Sequence, residues 1–130
     1  MTQSIYQSPP VGQEISCVMQ GLDSSFLSKS FTLNKIVKTF LDEHKFTVLN
    51  VVSHDFSPQG FTLIFLLSES HLAVHTYPEY NSLYFSFYSC RGENDVTPLF
   101  DKLINRLKPK EFLYNKDDKV PVQKKLNHLL

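Results

Sequence analysis

The chain has 130 residues, of which 42% are hydrophobic and 20% charged, with 13 basic residues balancing 13 acidic ones. That length can bury one ordinary core, and the balance is globular. Zero formal net charge excludes a broad attraction to nucleic acid or an anionic membrane. No apolar run reaches the roughly 20 residues that span a bilayer. The first stretch, MTQSIYQSPPVGQE, lacks the charged-then-apolar order of a signal peptide, so a cytoplasmic protein is expected. Cys17 and Cys90 match no CxxC site and read as free thiols.

A single domain is expected over residues 1–130, with no internal repeat. Residues 1–12 carry Ser8-Pro9-Pro10 and read as a loose arm. Ile15, Cys17 and Met19 alternate within a strand from Glu14 to Met19. Leu33, Ile36, Val37, Phe40 and Leu41 follow helical spacing, with Thr32 as the candidate N-cap. Strands are then predicted at 47–53, at 61–67 after the turn Ser57-Pro58-Gln59-Gly60, at 71–77 before Pro78, and at 83–88. Leu99, Phe100, Leu103, Ile104 and Leu107 form a second amphipathic helix. A short strand at 111–114 and a mobile charged tail from Asn115 close the chain.

The order β-α-β-β-β-β-α-β, with short turns between strands, predicts an α+β two-layer sandwich: an antiparallel sheet with both helices on one face. The run Phe61 to Leu67 (FTLIFLL) is apolar on both faces, yet two helices cover only one. A second sheet would cover the other, so a homodimer packed sheet to sheet is expected.

The stretch LSESHLAVHTYPEY (67–80) crowds Ser68, Glu69, Ser70, His71 and His75 together. His71 and His75 have the H-x-x-x-H spacing that suits zinc on a helix. On a strand the rings stand about 13 Å apart, too far for one ion. A Ser-His pair invites a hydrolase reading, but there is no G-x-S-x-G elbow and no obvious orienting carboxylate beyond Glu69 and Glu79.

From His54 the chain reads HDFSPQGFTLIFLLSESHLAVHTYPEY, and Cys90 follows Ser70 by twenty positions. This resembles the bacterial S-adenosylmethionine decarboxylase proenzyme family, whose core is an E-S-H-x-x-x-H-T-[W/Y]-P-E stretch preceded by an H-x-F-x-P-x-G turn. The resemblance covers roughly Gly12 to Pro109. It implies self-cleavage between Glu69 and Ser70, giving a β chain of residues 1–69 and an α chain of residues 70–130. Ser70 becomes a pyruvoyl group, the self-made cofactor, which forms a Schiff base with the substrate amine and takes up electrons as CO₂ leaves. By the same resemblance His75 is the processing base with Thr62 as its hydroxyl partner, and Cys90 is the proton donor in decarboxylation. Phe56 stacks on the adenine and Glu79 holds the ribose hydroxyls. His71, next to the pyruvoyl position, either shapes the site or acts in it directly, and Cys17 matches no role and reads as a small buried residue.

The implied partners are the substrate S-adenosylmethionine and a second copy of the chain, with no metal, nucleic acid or membrane. The implied product is the aminopropyl donor of spermidine synthesis. Tyr77 stands where Trp is frequent, Ser86 where an acidic residue is common, and Arg91 intrudes after the cysteine. Two alternatives follow: a pyruvoyl-dependent arginine or ornithine decarboxylase, or an inactive regulatory paralogue. The processing role also carries a geometric expectation. In a perfect strand Ser70 and His75 point to opposite faces, so the chain is predicted to bend at Glu69–Ser70, under strain that favours the acyl shift.

Overall fold

A computed structural model of the chain describes residues 6–124. The elements follow the predicted order: β1 (Val11–Gln20), α1 (Ser30–Glu43), β2 (Val48–Asp55), β3 (Phe61–Leu67), β4 (Ser70–Tyr77), β5 (Ser82–Ser89), α2 (Thr97–Leu107) and β6 (Glu111–Pro121). They build one antiparallel six-stranded sheet in the order β2-β3-β4-β5-β1-β6. Both helices contribute to the buried core through Leu33, Val37, Leu41, Leu99, Leu103 and Leu107, so the fold is the expected α+β two-layer sandwich.

Strand alternation decides which side chains meet the helices. Phe61, Leu63, Phe65 and Leu67 of β3 are buried, and their register partners Leu72 and Val74 of β4, then Phe85 and Phe87 of β5, continue the same face. Ile15, Cys17 and Met19 of β1 complete it. The other face of β2 and β3 carries Val52, Ile64 and Leu66, which are 59%, 41% and 51% exposed. The doubly apolar strand thus has one face in the core and one on open sheet.

Both helices are capped by side chains from the sheet. Asp55, at the end of β2, accepts from the Ser30 backbone N–H at 2.8 Å and from the Ser30 hydroxyl at 3.1 Å. Helix α1 therefore starts at Ser30, and Thr32 lies inside it rather than at its N-cap. The expected cap is wrong because the carboxylate comes from a distant strand; a contact of this kind contributes about 1 kcal/mol. For α2, the wholly buried Gln13 of β1 accepts from the Val96 and Thr97 backbone N–H groups at 2.7 and 3.2 Å. Its amide nitrogen donates to Thr97 Oγ1 and Asp117 Oδ1.

Two further expectations need correction. Residues 115–121 are not a mobile tail: β6 runs on to Pro121 and pairs with β1 along its length. The strand escapes a hydrophobic pattern because it is an exposed edge held by backbone pairing. At the other end, Val11 and Gly12 belong to β1, and the arm before them is tied down, with Ser8 and Tyr6 lying against Cys90. Residues 1–5, also assigned to the arm, and 125–130, the end of the tail, lie outside the described residues.

Candidate active site

The site residues divide between two ends of the sheet. At one end, His54, Thr62, His75 and Tyr84 sit side by side across β2, β3, β4 and β5, on the open face. Thr62 Oγ1 and His75 Nδ1 are 3.1 Å apart, a hydrogen bond that fixes the imidazole. The His75 ring also packs near Tyr84, with centroids 6.1 Å apart. Phe56 follows β2 at this end. Its ring is 48% exposed and meets His54 edge to face at 4.7 Å. The turn behind it is closed by Phe56 N–H donating to the Gly60 carbonyl at 2.7 Å. Gly60 takes φ +96°, where a side chain would be strained. Glu79 lies in the single 3₁₀ turn after β4, exposed.

At the opposite end, β3 and β4 join through a two-residue turn, Ser68-Glu69. Ser70 is the first residue of β4 and pairs with Ser89 of β5. Its hydroxyl is the one buried side-chain oxygen or nitrogen without a hydrogen-bond partner among the described residues. Such a group costs about 1–3 kcal/mol and calls for an explanation. The Glu69 carbonyl accepts from the Cys90 backbone N–H at 3.1 Å. The half-buried Cys90 thiol accepts from Ser8 Oγ at 3.4 Å and lies 3.8 Å from the Tyr6 hydroxyl. His71 points to the open face, its ring 5.9 Å from that of Tyr88.

The expected bend between Ser70 and His75 is absent. The reversal is confined to Ser68-Glu69, and β4 is regular from Ser70 to Tyr77. Ser70 shares the buried face with Leu72, Val74 and Thr76, while His75 is on the open face with His71. Five residue steps along the strand separate them by about 16 Å. Within one chain, therefore, His75 does not reach Ser70. The pair His71 and His75 lies along one strand, and among the described residues no group of three or more His, Cys, Asp or Glu is placed to hold a metal. No helix of those residues is long and apolar enough to cross a membrane.

The thiols differ in kind. Burial pushes the Cys17 thiol up from 9.0 to about 12, so it stays neutral across the physiological range. A thiol reagent is expected to titrate one cysteine, Cys90, in the native protein and both after unfolding; two fast native thiols would contradict this burial. The sign for stability follows. Below pH 9 Cys17 contributes equally at every pH, and from about 9 to about 12 the unfolded chain ionises first, so stability falls as pH rises.

Three contributors escaped the sequence reading: Ser8, Tyr6 and Tyr84. Only the even spacing of Tyr84 and Tyr88 on β5 could have hinted at an aromatic open face.

This is a two-layer α+β enzyme scaffold with a serine, a cysteine and a hydroxyl-bonded histidine at the two ends of one sheet. A sequence model of S-adenosylmethionine decarboxylase matches residues 13–119, and the chain belongs to that family. It is 38% identical over 98 residues to an S-adenosylmethionine decarboxylase proenzyme 2 of Bacillus cereus, covering 75% of this chain and 80% of the relative. It is 33% identical over 106 residues to the S-adenosylmethionine decarboxylase proenzyme of Picrophilus torridus, covering 82% of each. The crystal structure of the adenosylmethionine decarboxylase from Aquifex aeolicus superposes with a TM-score of 0.81 at 19% identity, over 91% of this chain and 97% of that one. At that identity the superposition speaks for the fold.

Proposed function

We propose that this chain cuts itself between Glu69 and Ser70 and then decarboxylates S-adenosylmethionine in the cytoplasm, supplying the aminopropyl donor of spermidine synthesis. One observation carries the reading: a buried, unpartnered Ser70 hydroxyl directly follows a carbonyl that accepts from the Cys90 N–H. A hydroxyl with no partner gives up no hydrogen bond when it attacks. A carbonyl with a fixed N–H on its oxygen is polarised toward the charge that develops there. The relatives' name, proenzyme, supports the same step.

Ser70 Oγ adds to the Glu69 carbonyl carbon, and the peptide C–N bond breaks as its nitrogen takes a proton. An ester now joins Glu69 to the Ser70 oxygen. Loss of the Ser70 Cα proton to a base expels the Glu69 carboxylate and frees residues 1–69. Water then converts the remaining dehydroalanine to a pyruvoyl group and ammonia. The buried unpartnered Ser70 oxygen fits the precursor of that group. Its carbonyl, once formed, supplies a sink for the electron pair left when CO₂ departs. Cys90 then returns a proton to the substrate α-carbon. The exposed Phe56 ring suits stacking on adenine and attraction of the sulfonium charge, and Glu79 suits the ribose hydroxyls.

The base is the partner's His75. A second copy docked face to face on the open sheet, about a two-fold axis, sets the His75 end of one chain against the Ser70 end of the other. The exposed Val52, Ile64 and Leu66 support that docking. The homodimer then both covers the apolar face and completes each site. Thr62 holds the Nδ1 side of His75, leaving Nε2 to take the Cα proton.

The substrate test uses the purified enzyme with carboxyl-labelled S-adenosylmethionine, arginine or ornithine. Labelled CO₂ is expected from the sulfonium substrate alone. Turnover of arginine or ornithine instead would sink the substrate assignment while leaving the self-cleavage intact; turnover of none by fully cut protein would point to an inactive paralogue.

A further inference from the structure

Arg91 interrupts the stretch after Cys90, and the structure gives it a large set of contacts. Its Nε and Nη2 grip Asp95 at 2.8 and 3.1 Å in a bidentate pair. Nη1 and Nη2 donate to the Lys45 and His44 carbonyls at 2.8 and 3.0 Å. Those carbonyls lie just past the C-terminus of α1, where helices leave acceptors without partners and where a cation is favoured. The guanidinium also stacks 3.6 Å from the centroid of Phe46, whose ring packs on Phe87 of β5. Arg91 and Asp95 side chains are only 21% and 22% exposed, so this is more than a surface pair.

The same network closes around Cys90. Ser89 donates its hydroxyl to Asp95 Oδ2 at 2.6 Å and accepts from the Arg91 backbone N–H at 3.2 Å. Both neighbours of Cys90 are therefore tied to one carboxylate, which Arg91 ties in turn to the end of α1. Cys90 sits between them, with its N–H on the Glu69 carbonyl.

We propose that the Arg91–Asp95 clamp is a positioning device for Cys90, setting its N–H against the carbonyl that Ser70 attacks and its thiol against the substrate carbon. This rests on the self-cleavage reading above. Neither Arg91 nor Asp95 touches the reacting atoms; they act through the backbone on either side of Cys90. A planar fork that also stacks on an aromatic ring is a job for arginine, and lysine cannot reproduce it.

The test follows self-cleavage of freshly synthesised full-length chain by gel, then CO₂ release by the cut enzyme, for wild type, Arg91→Ala, Arg91→Lys and Asp95→Asn. Arg91→Ala and Asp95→Asn are expected to slow cleavage about 10- to 100-fold, the range for sub-ångström to ångström misplacement of a reacting group. Arg91→Lys falls between them and wild type. The kcat of cut enzyme falls with KM little changed, because neither Arg91 nor Asp95 contacts Phe56 or Glu79. Millimolar guanidinium chloride restores cleavage to Arg91→Ala but not to Asp95→Asn. Two results would overturn the clamp: wild-type cleavage rates in folded Arg91→Ala and Asp95→Asn, or slow cleavage that tracks a lowered Tm and ignores guanidinium. An uncut wild-type chain in the same experiment overturns the self-cleavage reading and the clamp with it.

Discussion

Ser70→Ala is expected to run as one uncut band of 15.0 kDa and to release no CO₂ from S-adenosylmethionine. The loss should be complete, because two steps fail together. Alanine has no oxygen to take the acyl group from Glu69, and no leaving group on Cβ for elimination. Ser70→Cys separates the steps. Its sulfur can accept the acyl group, so added hydroxylamine should cut that chain at residue 69 even where elimination is slow. The fold should tolerate both changes, since Ser70 makes no side-chain hydrogen bond to lose. Cleavage of Ser70→Ala at the same bond would show that another nucleophile, or a contaminating protease, is responsible.

The second large effect concerns where the base comes from. His75→Ala alone should slow cleavage by about 10² to 10⁴-fold, the usual worth of a positioned general base. Mixing denatured His75→Ala and Ser70→Ala chains and refolding them together should restore cleavage, and only in the His75→Ala chain. In the mixed dimer that chain supplies Ser70 and its partner supplies His75. Within one chain about 16 Å of strand lies between the two residues, which is the reason to expect this outcome. If mixed dimers form and the His75→Ala chain stays uncut, the base does not act across the dimer. Carboxyl-terminal tags of different size identify which chain is cut.

Much of the fold was legible from periodicity. Leu33 to Leu41 and Leu99 to Leu107 have helical spacing, and the run from Phe61 to Leu67 has the length and flanking turns of a buried strand. What stayed hidden depended on contacts between distant segments. Thr32 resembles a cap locally, yet Asp55 holds the helix start two residues earlier. Nothing near Val96 announces that Gln13, 83 positions away, caps α2. The residues after Asn115 look like a tail because their polarity suits an exposed edge, and pairing to β1 shows only in the backbone.

The site was legible as residues but not as an arrangement. Ser70 and His75 are close in sequence, which invites a local relay between them. A strand converts that closeness into distance and opposite faces, so the two residues do not meet within one chain. Arg91 looked like a departure near the cysteine. In the folded chain it anchors both neighbours of Cys90 to the end of α1.

The most direct measurement is the intact mass of the purified protein under denaturing conditions. Two species are expected, residues 1–69 ending in a free Glu69 carboxylate and residues 70–130 beginning with a pyruvoyl group. The second is lighter than its serine form by one ammonia, and reductive amination with ammonia and cyanoborohydride turns its first residue into alanine, the ketone oxygen leaving as water. A single species at the full mass of residues 1–130, or a second fragment that begins with an intact serine, would contradict it.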